Sequence, residues 1–452
     1  MMLCHPAQKI YSTGRVALNS SILPTIRTLA TASPVSDAAR SHKVVVVGAG
    51  TAGLTVSHQL LRSGKFVKED IALVDPAEWH HYQPGWTLVG GGLKKKDAFT
   101  RPLSSLIDPK LKFYENKVNE FTPDENFITL DSGMKVSYDH LVVVPGIKVN
   151  FDSIKGLHEA LEDPKSLVGS IYSYEYCDKA AQIVRRLRKG NAIFTQPVGV
   201  VKCAGAPQKM MWLAWDYWRK AGLYDNNSPS SSPIHIAFAT GLPTMFGVPK
   251  YSATLEELRK KRGVDALFQH DLIEIDGNTA TFARSDGEKV TRKFDLLHAV
   301  PKMGPHVFVK NSTLVDTTGY VDVDQETLRH KNYRNVWSMG DAANLPTSKT
   351  AAAITAQAPV LVQNLLHSIE GKQIDQVYDG YTSCPLVTGE NKVLLAEFKY
   401  GGVPKETFGQ MFGIDQATPR RAFFHLKKDF FPWVYYKFMV KGTWGGPKGW
   451  IR

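Results

Sequence analysis

The sequence predicts an α/β protein of two Rossmann-like units, the second inserted into the first, with a C-terminal segment belonging to neither. Three observations carry this. A glycine-rich turn joins a buried strand to a helix at residues 44–62; a second strand–turn–helix unit begins near Asn191; and a strand ending in Gly340-Asp341 returns the chain to its first sheet. A length of 452 residues is enough for two cores, and 43% hydrophobic with 22% charged residues is ordinary for a globular protein. No apolar run reaches the roughly 18 residues of a membrane span.

The first strand is Val44 to Val47, a run of β-branched residues suited to burial on both faces. Gly48, Gly50 and Gly53 follow at G-x-G-x-x-G spacing, with Thr51 and Ala52 between, and Leu54 to Arg62 reads as a helix. The glycines supply a tight turn, room for a pyrophosphate against backbone, and close helix–strand contact. The helix N-terminus offers unpaired N–H groups and a positive dipole end. A second strand, Ile71 to Val74, ends in Asp75, 22 residues beyond Gly53, where a carboxylate can accept from the ribose of an adenosine. This unit is expected to bind an adenine dinucleotide.

Residues 1–40 carry Lys9, Arg15, Arg27 and Arg40 against the single acid Asp37, with many Ser and Thr. That is the pattern of a mitochondrial transit peptide, or of a basic disordered tail. The net charge is +12, and half of it lies in the C-terminal stretch from Lys405 to Arg452, where nine Lys or Arg face three acids. Cys4, Cys177, Cys203 and Cys384 show neither a C-x-x-C pair nor metal-ligand spacing, so no metal site is expected. Isolated cysteines of a reducing compartment are mostly inert core residues.

After Asp75, the aromatic loop Trp79-His80-His81-Tyr82-Gln83-Pro84 falls at the carboxyl end of the sheet, where ligands bind in such folds. Lys94 to Lys96 reads as a solvated basic turn. Residues 111–144 alternate between strands and turns and close on Tyr138 to Val144 and Pro145-Gly146, a small β excursion returning to the first sheet. In the second unit, Ala192 to Thr195 is a strand and Gln208 to Lys220 a helix bearing Trp212, Trp215 and Trp218. The intervening turn, Gln196-Pro197-Val198-Gly199-Val200-Val201-Lys202-Cys203-Ala204-Gly205-Ala206-Pro207, puts prolines and a cysteine where a nicotinamide dinucleotide would need glycines. The fold is expected to persist there with its NAD(P)H site lost. A strand, Ile234 to Ala239, and a helix near Ala253 to Arg262 follow.

Arg334 to Asp341 reads as a strand ending in Gly-Asp, ahead of a helix from Ser348 to Ile369 interrupted at Pro359. An acid there can hold a ribityl hydroxyl, and the helix N-terminus can stabilise charge developing on a flavin. Paired with the upstream glycine fingerprint, this points to FAD rather than NAD. From Arg420 to Trp444, Phe423, Phe424, Phe430, Phe431, Trp433, Tyr435, Tyr436 and Phe438 are interleaved with basic residues. Such a segment can pack as ordinary helices or lie on an anionic leaflet. Nothing else supports a nucleic-acid partner.

The glycine fingerprint with Asp75, the Gly340-Asp341 turn and the interrupted domain order resemble the flavoprotein disulfide reductase superfamily. Within it, HHYQPGWTLVGGG, AIFTQPVGVVKCAGAPQK, GDAANLPTSKTAAA, YDGYTSCPLVTG and the C-terminal GTWGGP resemble the mitochondrial sulfide:quinone oxidoreductase family, from about Lys43 to Trp450. The resemblance implies an inner-membrane, monotopic enzyme with FAD, hydrogen sulfide and ubiquinone as partners, and glutathione or sulfite as sulfur acceptor. It implies Cys203 and Cys384 as the redox pair. Sulfide would open a disulfide, with or without a bridging sulfur, to leave a persulfide on Cys384 and a thiolate on Cys203. Lys202 and Lys209 would lower the Cys203 pKa if they point inward. Cofactor contacts are implied for Gly48, Gly50, Thr51, Ala52, Gly53, Asp75, Gln83, Val118, Gly340, Asp341 and Lys349, and charged groups near the sulfide pocket for Glu159 and Lys427. Bacterial relatives of one class use three cysteines; this chain has none between Asp75 and Cys177, leaving a two-cysteine route. The expected domains are 1–40 transit peptide, 41–155 and 316–385 FAD-binding, 156–315 second Rossmann-like domain, and 386–452 membrane and quinone region. An NADH:quinone oxidoreductase shares this fold but requires the glycine fingerprint that residues 196–207 lack; a FAD-binding redox sensor is the non-enzymatic alternative.

Overall fold

In the computed structural model, which describes residues 40–449, strand Ser41–Val47 lies at the centre of a seven-stranded sheet. It runs parallel to Ile71–Val74 on one side and to Lys135–Val143 on the other, with Val47 opposite Val74 and Val143. Val44 to Val47 are buried on both faces, which is why an unbroken β-branched run is stable there. Lys112–Tyr114 extends the sheet beyond Ile71–Val74, and Val336–Ser338 pairs with the end of Lys135–Val143. The start of that long strand pairs antiparallel with Phe127–Leu130, which continues into Val118–Thr122. The β excursion and the late return to the first sheet are therefore both present. The transit-peptide expectation falls on residues 1–39, outside the described residues.

The second sheet has five strands, all parallel, in the spatial order Val168–Gly169, Leu296–His298, Gly190–Gln196, Ile234–Thr240, Asp265–Phe268. Its helices are Ala206–Lys220 and Pro249–Lys261, each beginning earlier than the sequence pattern indicates because a proline opens the first turn. Trp212, Trp215 and Trp218 are fully buried between helix and sheet. An antiparallel hairpin, Thr382–Val387 with Val393–Lys399, follows the long helix Ala351–Ile369.

Two expectations are corrected. Helix Ala351–Ile369 passes through Pro359 without interruption, and it begins at Ala351 rather than Ser348. A helix-interior proline costs ~3 kcal/mol; burial of Ala358, Leu361 and Leu365 along the same helix offsets that loss. Lys94 and Lys96 are not freely solvated. Lys94 pairs with Asp429 at 3.0 Å, while Lys96 pairs with Asp178 at 3.3 Å and lies over the Tyr174 ring. Only Lys95 between them is exposed.

His298, at the end of its strand, is buried against the Phe194 ring. Its Nε2 accepts from the Ile171 N–H at 3.3 Å, so a proton there would meet another donor. Burial takes its pKa from 6.5 down to about 3. Between those values the unfolded chain holds a proton that the folded chain lacks, so stability falls as pH drops from 6.5 toward 3. Urea denaturation from pH 7 to pH 4 should show this decline, and His298→Leu should shallow it.

Candidate functional site

The glycine turn is built by close approach. Gly48 has φ +102°, and a Cβ there would lie 2.6 Å from the Val144 carbonyl oxygen. A Cβ on Gly53 would overlap the Gly48 carbonyl, whereas one on Gly50 would meet nothing within 4 Å. Helix Thr51–Arg62 starts with neither a side-chain cap nor an acid in its first turn. Its leading N–H groups, at Thr51, Ala52 and Gly53, are thus left for an external anion, as a dinucleotide pyrophosphate requires. Asp75 does first what the sequence did not show: its carboxylate accepts from the Ala49 N–H at 2.6 Å and the Ala77 N–H at 2.8 Å, bracing the turn. Burial raises its pKa and these two bonds oppose the rise.

Cys203 and Cys384, 181 residues apart, are brought together with sulfurs 4.0 Å from each other. Cys384 is fully buried on strand Thr382–Val387. Cys203 is half-buried and left-handed at φ +56°, a rare conformation for a non-glycine residue. Two contacts hold it there: its N–H donates to the Lys349 carbonyl at 2.8 Å, and its carbonyl accepts from the Ala206 N–H at 2.7 Å. Lys209, near the start of helix Ala206–Lys220, donates its Nζ to Cys203 Sγ at 3.1 Å and is itself 2% exposed.

Cys203 is held well below the ordinary thiol range by the hydrogen bond from Cys384, against its burial and with help from the Lys209 charge. Cys384 is pushed well above that range by the same bond, by burial and by the neighbouring negative charge. The reduced pair therefore shares one proton, kept on Cys384, with the thiolate on Cys203. Lys427, on the π-helical turn Leu426–Phe430, is 5% exposed. Burial and the Lys209 charge bring its pKa from 10.5 down to about 7, partly countered by both sulfurs. Tyr172 feels the same sulfurs and donates its hydroxyl to the Lys202 carbonyl at 3.1 Å.

A second polar cluster adjoins the first. Lys202 bridges strand-like to Lys349, and its Nζ donates to Gln83 Oε1 at 3.2 Å. Gly340 is left-handed at φ +68°, its N–H bound to Gln357 Oε1 at 2.8 Å, and it places Asp341 toward both lysines. Burial raises the Asp341 pKa, and Lys202 and Lys349 oppose that rise. Lys349 donates to the Ala343 carbonyl, and burial lowers its pKa from 10.5 to about 8. Thr350 caps the following helix and exchanges a hydrogen bond with Thr382 at 2.8 Å, on the strand of Cys384.

The structure thus gathers Gln83, Asp341 and Lys349 around Lys202 and Cys203, and the fingerprint residues around Asp75. Val118 lies apart from these contacts, at the start of strand Val118–Thr122 opposite Leu130. Glu159 is exposed on helix Leu157–Glu162, and no contact joins it to the cysteine pair. Cys177 is buried, its thiol pushed up to about 12 by burial, as suits a core residue. Sequence reasoning missed Tyr172 and the stabilising bonds of Asp75, because neither carries a local signal.

No protein-family model matches the chain. A protein of Schizosaccharomyces pombe named sulfide:quinone oxidoreductase, mitochondrial, is 45% identical over 460 residues, covering 96% of this chain and 98% of that one. The chain belongs to the mitochondrial sulfide:quinone oxidoreductase family. The Dictyostelium discoideum member is 44% identical over 414 residues, covering 89% of this chain and 87% of its own. The solved sulfide:quinone oxidoreductase of Aquifex aeolicus shares the fold, with a TM-score of 0.71 at 19% identity, covering 88% of this chain and 92% of that structure.

In this family member, Lys209→Met should raise the pH at which reduced Cys203 becomes reactive. Alkylation by iodoacetamide, followed by mass spectrometry across pH, should show the Cys203 inflection moving upward while Cys177 stays unreacted.

Proposed function

We propose that the chain oxidises hydrogen sulfide through a Cys203–Cys384 disulfide and passes two electrons, by way of FAD, to ubiquinone. The observation that carries this reading is the sulfur pair 4.0 Å apart with Lys209 on Cys203. Attack of HS⁻ on Cys384 Sγ of the disulfide forms a persulfide there and expels Cys203 as thiolate, the better leaving group because its pKa is lowered. A nucleophile such as glutathione or sulfite then takes the outer sulfur, leaving both cysteines reduced. Loss of two electrons re-forms the disulfide. FAD, when bound, supplies the two-electron relay between the cysteines and the quinone. The fingerprint residues with Asp75 would hold its adenosine and pyrophosphate, and Gln83, Gly340, Asp341 and Lys349 its flavin end. Val118 stands as a cofactor contact by family resemblance alone.

An NADH-driven reaction is disfavoured by the second unit. Val198 packs against the end of the neighbouring strand so closely that a Cβ on Gly241 would lie 2.7 Å from the Val198 nitrogen. Val198 donates its N–H to Asp271 at 3.4 Å, which holds this valine and the preceding Pro197 where a nicotinamide dinucleotide would need glycines.

The relatives are mitochondrial by name, and we assign this chain to the mitochondrial inner membrane as a peripheral protein. Among the described residues no helix is long and apolar enough to cross a membrane. The docking face is narrower than the sequence suggests. Phe423, Phe424 and Tyr435 are core residues, whereas Met411, Phe412 and Trp433 are 65%, 63% and 50% exposed. Phe408 joins the groups, stacked on Phe412 and packed against Phe423. With exposed Arg420, Arg421 and Lys437 nearby in sequence, these suit an anionic leaflet.

Sulfide should bleach the flavin absorbance rapidly in stopped flow and NADH should not; bleaching by NADH alone would overturn the assignment. Cys203→Ser and Cys384→Ser should each abolish sulfide-dependent quinone reduction with FAD still bound, and substantial turnover in either would refute the disulfide route. For docking, Met411→Ser combined with Trp433→Ser should reduce flotation with cardiolipin-containing vesicles severalfold, while flavin reduction by sulfide is unchanged.

A further inference from the structure

The C-terminal segment reaches the glycine turn through one side chain. Tyr435, on helix Phe431–Lys437, is 1% exposed. Its hydroxyl lies 2.7 Å from Thr51 Oγ1, at the first residue of the uncapped helix, and 2.7 Å from His80 Nε2. His80 in turn reaches the Ala49 carbonyl through Nδ1 at 3.3 Å. Valence orders the protons. A carbonyl only accepts, so His80 carries its hydrogen on Nδ1 and must accept at Nε2. Tyr435 therefore donates to His80, and its oxygen accepts from the Thr51 hydroxyl. Burial keeps the imidazole neutral, its pKa taken from 6.5 to about 4, so this order holds at neutral pH.

The result is a closed circuit from Thr51 through Tyr435 and His80 to Ala49, with both ends on the dinucleotide turn. Asp75 holds the N–H of the same Ala49. The turn is gripped at Ala49 N–H, Ala49 carbonyl and Thr51 hydroxyl, and two of these three grips pass through Tyr435. Below Tyr435, the segment lies along the same helix: Thr55 donates to the Met439 carbonyl at 3.3 Å, and His58 Nδ1 bonds the Val440 carbonyl at 2.6 Å.

We propose that Tyr435 is a positioning residue for the cofactor: it clasps the glycine turn, so that the seating of the C-terminal segment sets where the leading N–H groups of helix Thr51–Arg62 point. The inference rests on the FAD reading above. Its consequence is that the cofactor's residence time depends on a hydroxyl that need not touch it. Tyr436 provides the control. Its hydroxyl donates to the Phe99 carbonyl at 2.8 Å and accepts from the Tyr82 N–H at 3.2 Å, anchoring the same segment without a bond to the turn.

The test is FAD release from the full-length holoenzyme, followed by the rise in flavin fluorescence after high dilution. Tyr435→Phe should speed release on the order of tenfold, the worth of one to two net hydrogen bonds, and Tyr436→Phe less than about twofold. Thr51→Val should speed release but by no more than Tyr435→Phe, Thr51→Ser should stay near wild type, and the double variant Thr51→Val with Tyr435→Phe should be no worse than Tyr435→Phe alone. Release from Tyr435→Phe at the wild-type rate, equal effects of Tyr435→Phe and Tyr436→Phe, or additive effects in the double variant would each overturn the clasp. If Tyr435→Phe does not fold, the Thr51→Val and Thr51→Ser pair decides, with equal release from both overturning it. A wild-type chain that binds no FAD would refute the cofactor reading itself, which is a distinct outcome.

Discussion

One backbone hydrogen bond joins everything at the sulfur site. The Cys203 N–H on the Lys349 carbonyl, with the strand-like bridge between Lys202 and Lys349, stitches the loop of the second unit to the segment that returns to the first. Without that stitch Cys203 would keep only its bond from the Ala206 N–H to hold it left-handed, and Lys202 would lose its register beside Lys349. The same segment continues into Thr350, whose bond to Thr382 fixes the strand bearing Cys384. Both sulfurs are thus registered against a single short stretch, residues 349–350. This is how two cysteines 181 residues apart in sequence acquire a fixed separation.

Around the pair, positive charge is concentrated where water is scarce. Lys209 and Lys427 are both nearly fully buried beside the sulfurs, without a carboxylate partner among the contacts described. Burying an ammonium group is expensive unless an opposite charge balances it. The Cys203 thiolate is that balance, and it exists only when the pair is open. On the proposed disulfide route, closing the bridge would remove the anion and leave the two lysines without it, so the lysines would favour the reduced pair and make the disulfide a stronger oxidant. Burial and the Lys209 charge lower the Lys427 pKa to about 7, and the two sulfurs oppose that fall.

Local chemistry made the dinucleotide turn legible. A β-branched run, three spaced glycines and an acid at the next strand end each act over a few residues, and each appears where the sequence places it. The helix at Ala351–Ile369 was legible at its C-terminal end but not in its start or its continuity, because what outweighs Pro359 is burial supplied by other parts of the chain. The same limit applies to Lys94 and Lys96, whose acids Asp429 and Asp178 arrive through tertiary structure. The C-terminal aromatics looked uniform in sequence, yet Tyr435 is core and Trp433, two positions earlier, is surface. Short helices broken by a π-turn have no single periodicity from which to read a face. The pairing of Cys203 with Cys384 had no local signature and came from family resemblance, while Tyr172 and Lys209 gained their places beside it from the fold.

The proposed absence of a nicotinamide site at the Val198 turn has a meaning beyond the loss of a ligand. Enzymes of this architecture that accept reduced nicotinamide draw on a pool that most metabolism feeds. On that reading, a valine and its neighbouring proline, standing where phosphate-binding glycines would be needed, would set the flavin side of the molecule apart from that pool. On the proposed route electrons would enter where a sulfur atom opens the cysteine bridge, and flow through the protein would become a gauge of sulfide supply rather than of the energetic state of the cell.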